Sequence, residues 1–242
     1  RSQVGGLAEI GADGNTIGGL LGENAVLNID DLVNAVGYLI PKYTDCYVEF
    51  TERNFDEAQV TSAVAGGFIG EMQGGMVDNT TLGNDYAVRK TEYIQGTYYA
   101  GGFAGKVLSG GLAESDGLSL LGTHIDVAGL LSLIPTYIPK IKTAGVQSGN
   151  NGLKVYATSS IDTDVDSGTA GGYVGLARGA NISNSDVSEL ATKTSEEEPG
   201  TNDYAVQAPI YAGGYVGKAD IGSAAAVGNS LSVFGIAEIG EL

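Results

Sequence analysis

Gly171-Gly172-Tyr173-Val174-Gly175 recurs along this chain. The same Gly-Gly-apolar-x-Gly pattern stands at Gly66-Gly67-Phe68-Ile69-Gly70, Gly101-Gly102-Phe103-Ala104-Gly105 and Gly213-Gly214-Tyr215-Val216-Gly217. Gly18-Gly19-Leu20-Leu21-Gly22 matches it as well, and Gly5-Gly6-Leu7-Ala8 is a partial copy. Alanine precedes the pair at Ala65, Ala100, Ala170 and Ala212. The pattern reads as a tight bend entering a strand. Its aromatic or aliphatic residue points to one face, and its glycines permit close approach of neighbouring backbone.

A longer repeat lies over the short one. Asn84-Asp85-Tyr86-Ala87-Val88 returns unchanged as Asn202-Asp203-Tyr204-Ala205-Val206, and a Tyr-Ala-Gly-Gly follows each copy, at Tyr99 and Tyr211. Asn28-Ile29-Asp30 matches His124-Ile125-Asp126, and each precedes an apolar run ending in Ile40-Pro41-Lys42 or Ile138-Pro139-Lys140. The offset widens along the chain, with the acidic stretch Thr192 to Gly200 as the evident insertion. These matches divide the chain into two imperfect modules of about 100 residues, 26–122 and 123–235. Residues 1–25 read as the end of a preceding module and 236–242 as the start of a following segment, within one continuous structural domain. The opening Arg1-Ser2-Gln3 reads as part of a longer polypeptide.

Local pattern predicts strands at Cys46-Tyr47-Val48-Glu49-Phe50 and at Leu153-Lys154-Val155-Tyr156-Ala157, taken as counterparts in the two modules. Asp30 and Asp126 are positioned to cap one short helix per module, over Asp31 to Leu39 and Val127 to Ile134. The remainder reads as strand and turn. Repetition at short and long period favours an all-β fold, a right-handed parallel β-solenoid or β-helix-like array in which each coil packs against the next. A β-sandwich is the alternative. Asn79, Asn181 and Asn184, which follow the glycine motif, suit bends or stacked amide ladders.

Composition agrees with this and narrows the function. The chain of 242 residues holds 39 glycines but only five prolines. Glycine is therefore at about twice its ordinary usage of about 7%, without a collagen period. Twelve basic residues against 29 acidic ones give a formal net charge of −17. That sign opposes phosphate contacts, so nucleic acid and anionic membrane are poor partners. The most apolar stretch, Val127 to Ile141, is too short to span a bilayer. Cys46 stands alone and reads as a small buried side chain, with no disulfide framework or thiolate metal cluster.

Gly171 to Ser185, ending in Ala180-Asn181-Ile182-Ser183-Asn184-Ser185, resembles the GLUG motif: Gly-Gly-apolar-Val-Gly, a polar turn with glycine, then Ile-x-Asn-Ser. Gly66 to Thr80 is similar, with Met76-Val77-Asp78-Asn79 in the second half. The copies at Gly101 and Gly213 keep only the first half. GLUG repeats occur in large bacterial surface proteins, including adhesins and extended regions of some IgA-cleaving proteases. The resemblance implies a secreted, extracellular β-rich region at the bacterial cell surface, in or on the cell wall. It brings no catalytic residues with it.

The expected function is therefore that of a non-catalytic structural or adhesive segment, which extends or presents a binding surface. Its expected partners are a host or cell-surface protein or glycan, and the flanking repeats of its own polypeptide. No cofactor is expected, with one candidate exception: Asp162, Asp164 and Asp166 alternate as the first carboxylates of a calcium loop do. The stretch departs from the EF-hand form, with Ser167 where glycine is required and Tyr173 where glutamate is. His124, the only histidine, stands where the other module has Asn28, which argues against a catalytic base. The alternative function is a polysaccharide-active lyase or glycosidase, or a carbohydrate-binding module. Arg178 near the Asp162 to Asp166 stretch is the constellation that such a reading points to. Thirteen tyrosines offer stacking surfaces for sugars, if they are exposed.

Overall fold

A computed structural model of the protein describes residues 3–9, 41–51, 57–109, 118–120, 123–125, 138–191, 204–221, 231–233 and 237–239. Among these residues the fold is all-β. Strand β1 (Gln3–Glu9) comes first. The chain then makes four successive passes through the same sheets. The first pass is β2 (Lys42–Glu49), β3 (Val60–Gly66) and β4 (Ile69–Gln73). The second is β5 (Met76–Asp78), β6 (Tyr86–Thr91), β7 (Tyr93–Gly101) and β8 (Ala104–Leu108). An antiparallel pair, β9 (Leu118–Leu120) and β10 (Thr123–Ile125), precedes the third pass. That pass is β11 (Lys140–Lys142), β12 (Gly145–Ser148), β13 (Lys154–Ala157), β14 (Thr169–Gly171) and β15 (Val174–Arg178). The fourth is β16 (Asn181–Ser183), β17 (Val206–Gln207), β18 (Tyr211–Gly213) and β19 (Val216–Asp220). A second antiparallel pair, β20 (Leu231–Val233) and β21 (Ala237–Ile239), follows.

Strands of successive passes pair in parallel, so three sheets run across the stack. The first holds β2, β5, β6, β11, β12 and β16, with β1 antiparallel on β2; the second holds β3, β7, β13, β14, β17 and β18; the third runs β4, β8, β15, β19. Parallel pairing is not that of an antiparallel sandwich. Register is set by the glycine motif: Gly66 pairs with Gly101, Gly101 with Gly171 and Gly171 with Gly213. The stacking neighbour of each motif is thus the next motif in the chain. The offset of about 100 residues seen in the sequence corresponds to two passes.

The two strands taken as counterparts do not share a sheet. β2, holding Cys46, pairs with β5 and β6, whereas β13 pairs with β7 and β17. The helices expected over Asp31 to Leu39 and Val127 to Ile134 lie outside the described residues.

The core fills the space between the sheets with rows of like side chains. Ala65, Ala100 and Ala170 form one buried row, and Val77 and Ile141 another. The aromatic residue of the motif forms a third. Phe68, Phe103, Tyr173 and Tyr215 stack face to face, with centroids 5.1, 5.0 and 4.9 Å apart and planes within 12°. That spacing matches the separation of neighbouring strands, about 4.8 Å. Tyr173 is wholly buried and its hydroxyl donates to the Ala144 carbonyl at 2.8 Å.

Each glycine of the motif answers a different neighbour. A Cβ on Gly171 would lie 2.0 Å from the carbonyl oxygen of Val174 in its own bend, and one on Gly172 would lie 2.1 Å from the Gly214 carbonyl of the next pass.

Of the asparagines singled out in the sequence, Asn181 lies on β16, while Asn79 and Asn184 share one register position, which falls at Asp45 within β2 in the first pass and at Thr143 in the third. Asp45, Thr143 and Asn184 take left-handed backbone there. Asn79, at the equivalent place in the second pass, is buried and turns its amide on the first pass. It accepts from the Cys46 N–H at 3.0 Å and donates to the Cys46 carbonyl at 2.8 Å. Cys46 itself is buried, and burial raises its thiol pKa above the ordinary value.

Candidate functional site

The segment between β13 and β14, residues 158–168, leaves the stack as a compact turn held by its own polar groups. The Asp164 and Ser167 N–H groups donate to the Ile161 and Asp164 carbonyls at 2.9 and 3.0 Å. The Ser167 hydroxyl accepts from the Ile161 N–H and donates to the Asp164 carbonyl. Gly168, at φ +71°, returns the chain to the sheet. Backbone bonds tie this turn to the passes on either side. Gly168 N–H donates to the Tyr98 carbonyl of the second pass at 2.8 Å, while Ile210 and Tyr211 of the fourth donate to the Gly168 carbonyl at 3.0 and 3.1 Å.

Charged side chains complete the attachment. Asp166 is almost buried, and its two carboxylate oxygens accept from Arg178 on β15 and Lys218 on β19. Asp220 stands 3.6 Å from Arg178 and 3.5 Å from Lys218. Asp164 accepts from the Tyr99 hydroxyl at 2.6 Å through one oxygen and from the Asp166 N–H at 3.2 Å through the other. Asp162 lies exposed in the turn. The ledge continues down the stack: Lys106 sits 4.8 Å over the Tyr99 ring and pairs with Glu71 at 2.8 Å, and Lys218 sits 5.0 Å over the Tyr211 ring.

The electrostatics follow from these pairings. Burial pushes the Asp166 carboxyl up, but the hydrogen bonds and charges of Lys218 and Arg178 outweigh it and hold the group below the ordinary carboxylate range. The bond to Asp166 raises the Lys218 ammonium. Burial, reinforced by the bond to Asp164, raises the Tyr99 hydroxyl. A phenol so raised keeps its proton, and the two cations already face carboxylates. The arrangement is suited to fastening a turn across three passes.

Of the proposed calcium ligands, the structure brings Asp164 and Asp166 together but engages them with Tyr99, Arg178 and Lys218, while Asp162 lies exposed in the turn. Among the described residues, no group of three or more His, Cys, Asp or Glu side chains is placed to hold a metal ion. Arg178, singled out from sequence, does meet the acidic stretch. Tyr99, Lys218 and Asp220 were not anticipated. His124 lies on β10 opposite Ser119. Among the described residues, no helix is long and apolar enough to cross a membrane. No family model matches this chain, and neither a curated protein nor a solved structure matches it.

Proposed function

We propose that this chain is a non-catalytic, extracellular segment of a larger bacterial surface protein, a right-handed parallel β-solenoid whose coils are the four passes, and that it presents an adhesive or structural surface. The observation that carries the reading is the in-register return of one Gly-Gly-aromatic corner in all four passes. A corner repeated at every level serves stacking, whereas a catalytic centre needs one constellation that occurs once. The resemblance to GLUG repeats supports the placement at the cell surface. Four passes advance by three strand spacings, about 14 Å at about 4.8 Å each. A segment of this size presents a surface more than it spans a distance.

The rival reading, a polysaccharide-active enzyme, draws on the ledge of Asp166, Arg178, Lys218 and Tyr99, which is not repeated. Purified chain incubated with neutral and acidic polysaccharides separates the two. The expected result is retention on a glycan or protein surface, or no interaction, without new reducing ends or unsaturated products. Turnover that is lost in Asp166→Asn would overturn the proposal.

A further inference from the structure

We propose that Asn151 is a self-modifying site: in the folded chain its side-chain amide is lost through a cyclic imide formed with Gly152, and the carboxylate left behind loosens the seat of the third pass on the second. The inference rests on this turn and on amide chemistry, and does not depend on what the chain binds. Of the asparagines in the sequence, Asn151 alone is followed by glycine. The following residue governs the reaction, because its backbone nitrogen is the nucleophile and a side chain on its Cα hinders the approach. Glycine presents no such obstacle. Asn151 is also exposed, in the turn between β12 and β13. Asn79, by contrast, is buried, is followed by Thr80, and has both ends of its amide engaged by Cys46.

The step needs only the chain and water. The Gly152 nitrogen attacks Cγ of Asn151 and gives up its proton, the Cγ–Nδ2 bond breaks, and ammonia leaves. Water then opens the imide at either carbonyl, to aspartate or to its β-linked isomer. Two hydrogen bonds hold the reacting groups away from this path, and both are long. The Gly152 N–H donates to the Gly149 carbonyl at 3.3 Å, and Asn151 Nδ2 donates to Glu92 Oε1 at 3.3 Å. Bonds of this kind centre on about 2.9 Å and weaken as they stretch. The turn at 158–168 is closed by bonds of 2.9 and 3.0 Å. Gly152 stands at φ +77°, from which glycine can rotate without steric penalty. The consequence falls on Glu92 of the second pass. Its side chain is buried beneath this turn: a Cβ on Gly149 would stand 2.5 Å from Glu92 Cγ. Among the described residues, Asn151 is the one hydrogen-bond donor to its carboxylate. Backbone bonds fasten the two passes on either side, from the Gly149 N–H to the Thr91 carbonyl at 2.8 Å and from the Lys154 N–H to the Glu92 carbonyl at 2.7 Å. Deamidation exchanges the donor for a second carboxylate. Two like charges in hydrogen-bond contact, one of them buried, repel each other, and the turn lifts from its seat.

Peptide mapping by mass spectrometry tests this, on folded chain held for weeks at mildly alkaline pH, with fragmentation that distinguishes aspartate from its isomer. Asn151 is expected to convert to a mixture of the two acids, while Asn79, Asn181 and Asn184 keep their amides. The urea midpoint should fall in step with the conversion. An Asn151→Asp chain should show a lowered midpoint from the outset, and the same change combined with Glu92→Gln should lower it no further than Glu92→Gln alone. An Asn151 amide that survives as long as that of Asn181 would overturn the proposal, and so would conversion confined to the urea-unfolded chain. An Asn151→Asp chain as stable as the parent, or one impaired equally beside Glu92→Gln, would overturn the role given to Glu92.

Discussion

Alanine at Gly172 and alanine at Gly214 are the same chemical change at the same place in the motif, yet they should differ in cost by about 3 kcal/mol. Neither glycine has left-handed backbone, so conformational strain does not enter. At Gly172 the new methyl would lie 2.1 Å from the Gly214 carbonyl oxygen, against a comfortable contact of about 3.5 Å. Relief requires the third and fourth passes to separate by about 1 Å at this corner. Three bonds cross it: Gly172 N–H to Gly213 at 3.1 Å, and Tyr173 and Val174 N–H to the Tyr215 carbonyl at 2.8 and 3.1 Å. At about 1 kcal/mol net each, their loss costs about 3 kcal/mol. That agrees with the range of about 1–3 kcal/mol for overpacking a filled site. At Gly214 the methyl meets, among the described residues, only Leu190 at 3.7 Å. The change there should lie within about 0.5 kcal/mol of neutral, with a small gain from restricting the unfolded chain. Urea unfolding followed by far-ultraviolet circular dichroism reads both variants. A Gly172→Ala chain as stable as the parent, or a Gly214→Ala chain as impaired as Gly172→Ala, would mean that the passes do not stack in this register.

Two further perturbations address the polar groups. Asp166 titrates lower in the folded chain than in the unfolded one, so its contribution is complete above the unfolded carboxylate pKa, about 3.9, and is lost as pH falls through the folded value. Asp166→Asn should cost about 1–3 kcal/mol at neutral pH and flatten the acid limb of the stability curve, as measured by urea midpoints between neutral and acid pH; an unchanged acid limb would show the pairing to be ornamental. Asn79→Ala leaves the N–H and carbonyl of buried Cys46 without their amide partner, at about 1–3 kcal/mol for each group. Its urea midpoint should fall sharply, and a midpoint equal to that of the parent would show that water serves Cys46 equally well.

The glycine motif was legible because two independent constraints demand the same residue type. Gly171 is required by its own bend and Gly172 by the carbonyl of the next pass, so both must be glycine at each level that a further pass covers. The aromatic at the third position was legible for a related reason, since Phe103 and Tyr173 can only stack on rings at the same step. Sheet membership was not legible. Cys46 to Phe50 and Leu153 to Ala157 carry similar strand-forming residues, and side-chain preference for a pleated surface does not record which sheet a strand joins. Only the alignment of successive Gly-Gly pairs fixes that, and the insertions between passes blur it for any comparison made at the longer period.

The polar ledge was half visible. Arg178 lies 12 residues from Asp166, while Lys218 and Tyr99 reach the same turn from positions 52 and 65 residues away from their partners. One signal was available: Lys106 follows Gly105 as Lys218 follows Gly217, and the register confirms that both belong to the row Glu71, Lys106, Leu176, Lys218. In that row Lys106 has Glu71 as its acidic neighbour, but the neighbour of Lys218 is Leu176. The third pass thus lacks a carboxylate where the fourth presents an ammonium. Its extra turn replaces what the row omits, because Asp166 receives Lys218 while Leu176 is buried. The acidic turn, which in sequence resembles the start of a calcium loop, therefore has a reason to be acidic that involves no metal. Its Asp166 answers the Lys218 ammonium of a row that runs across the passes, and that row can be read only once the passes are in register.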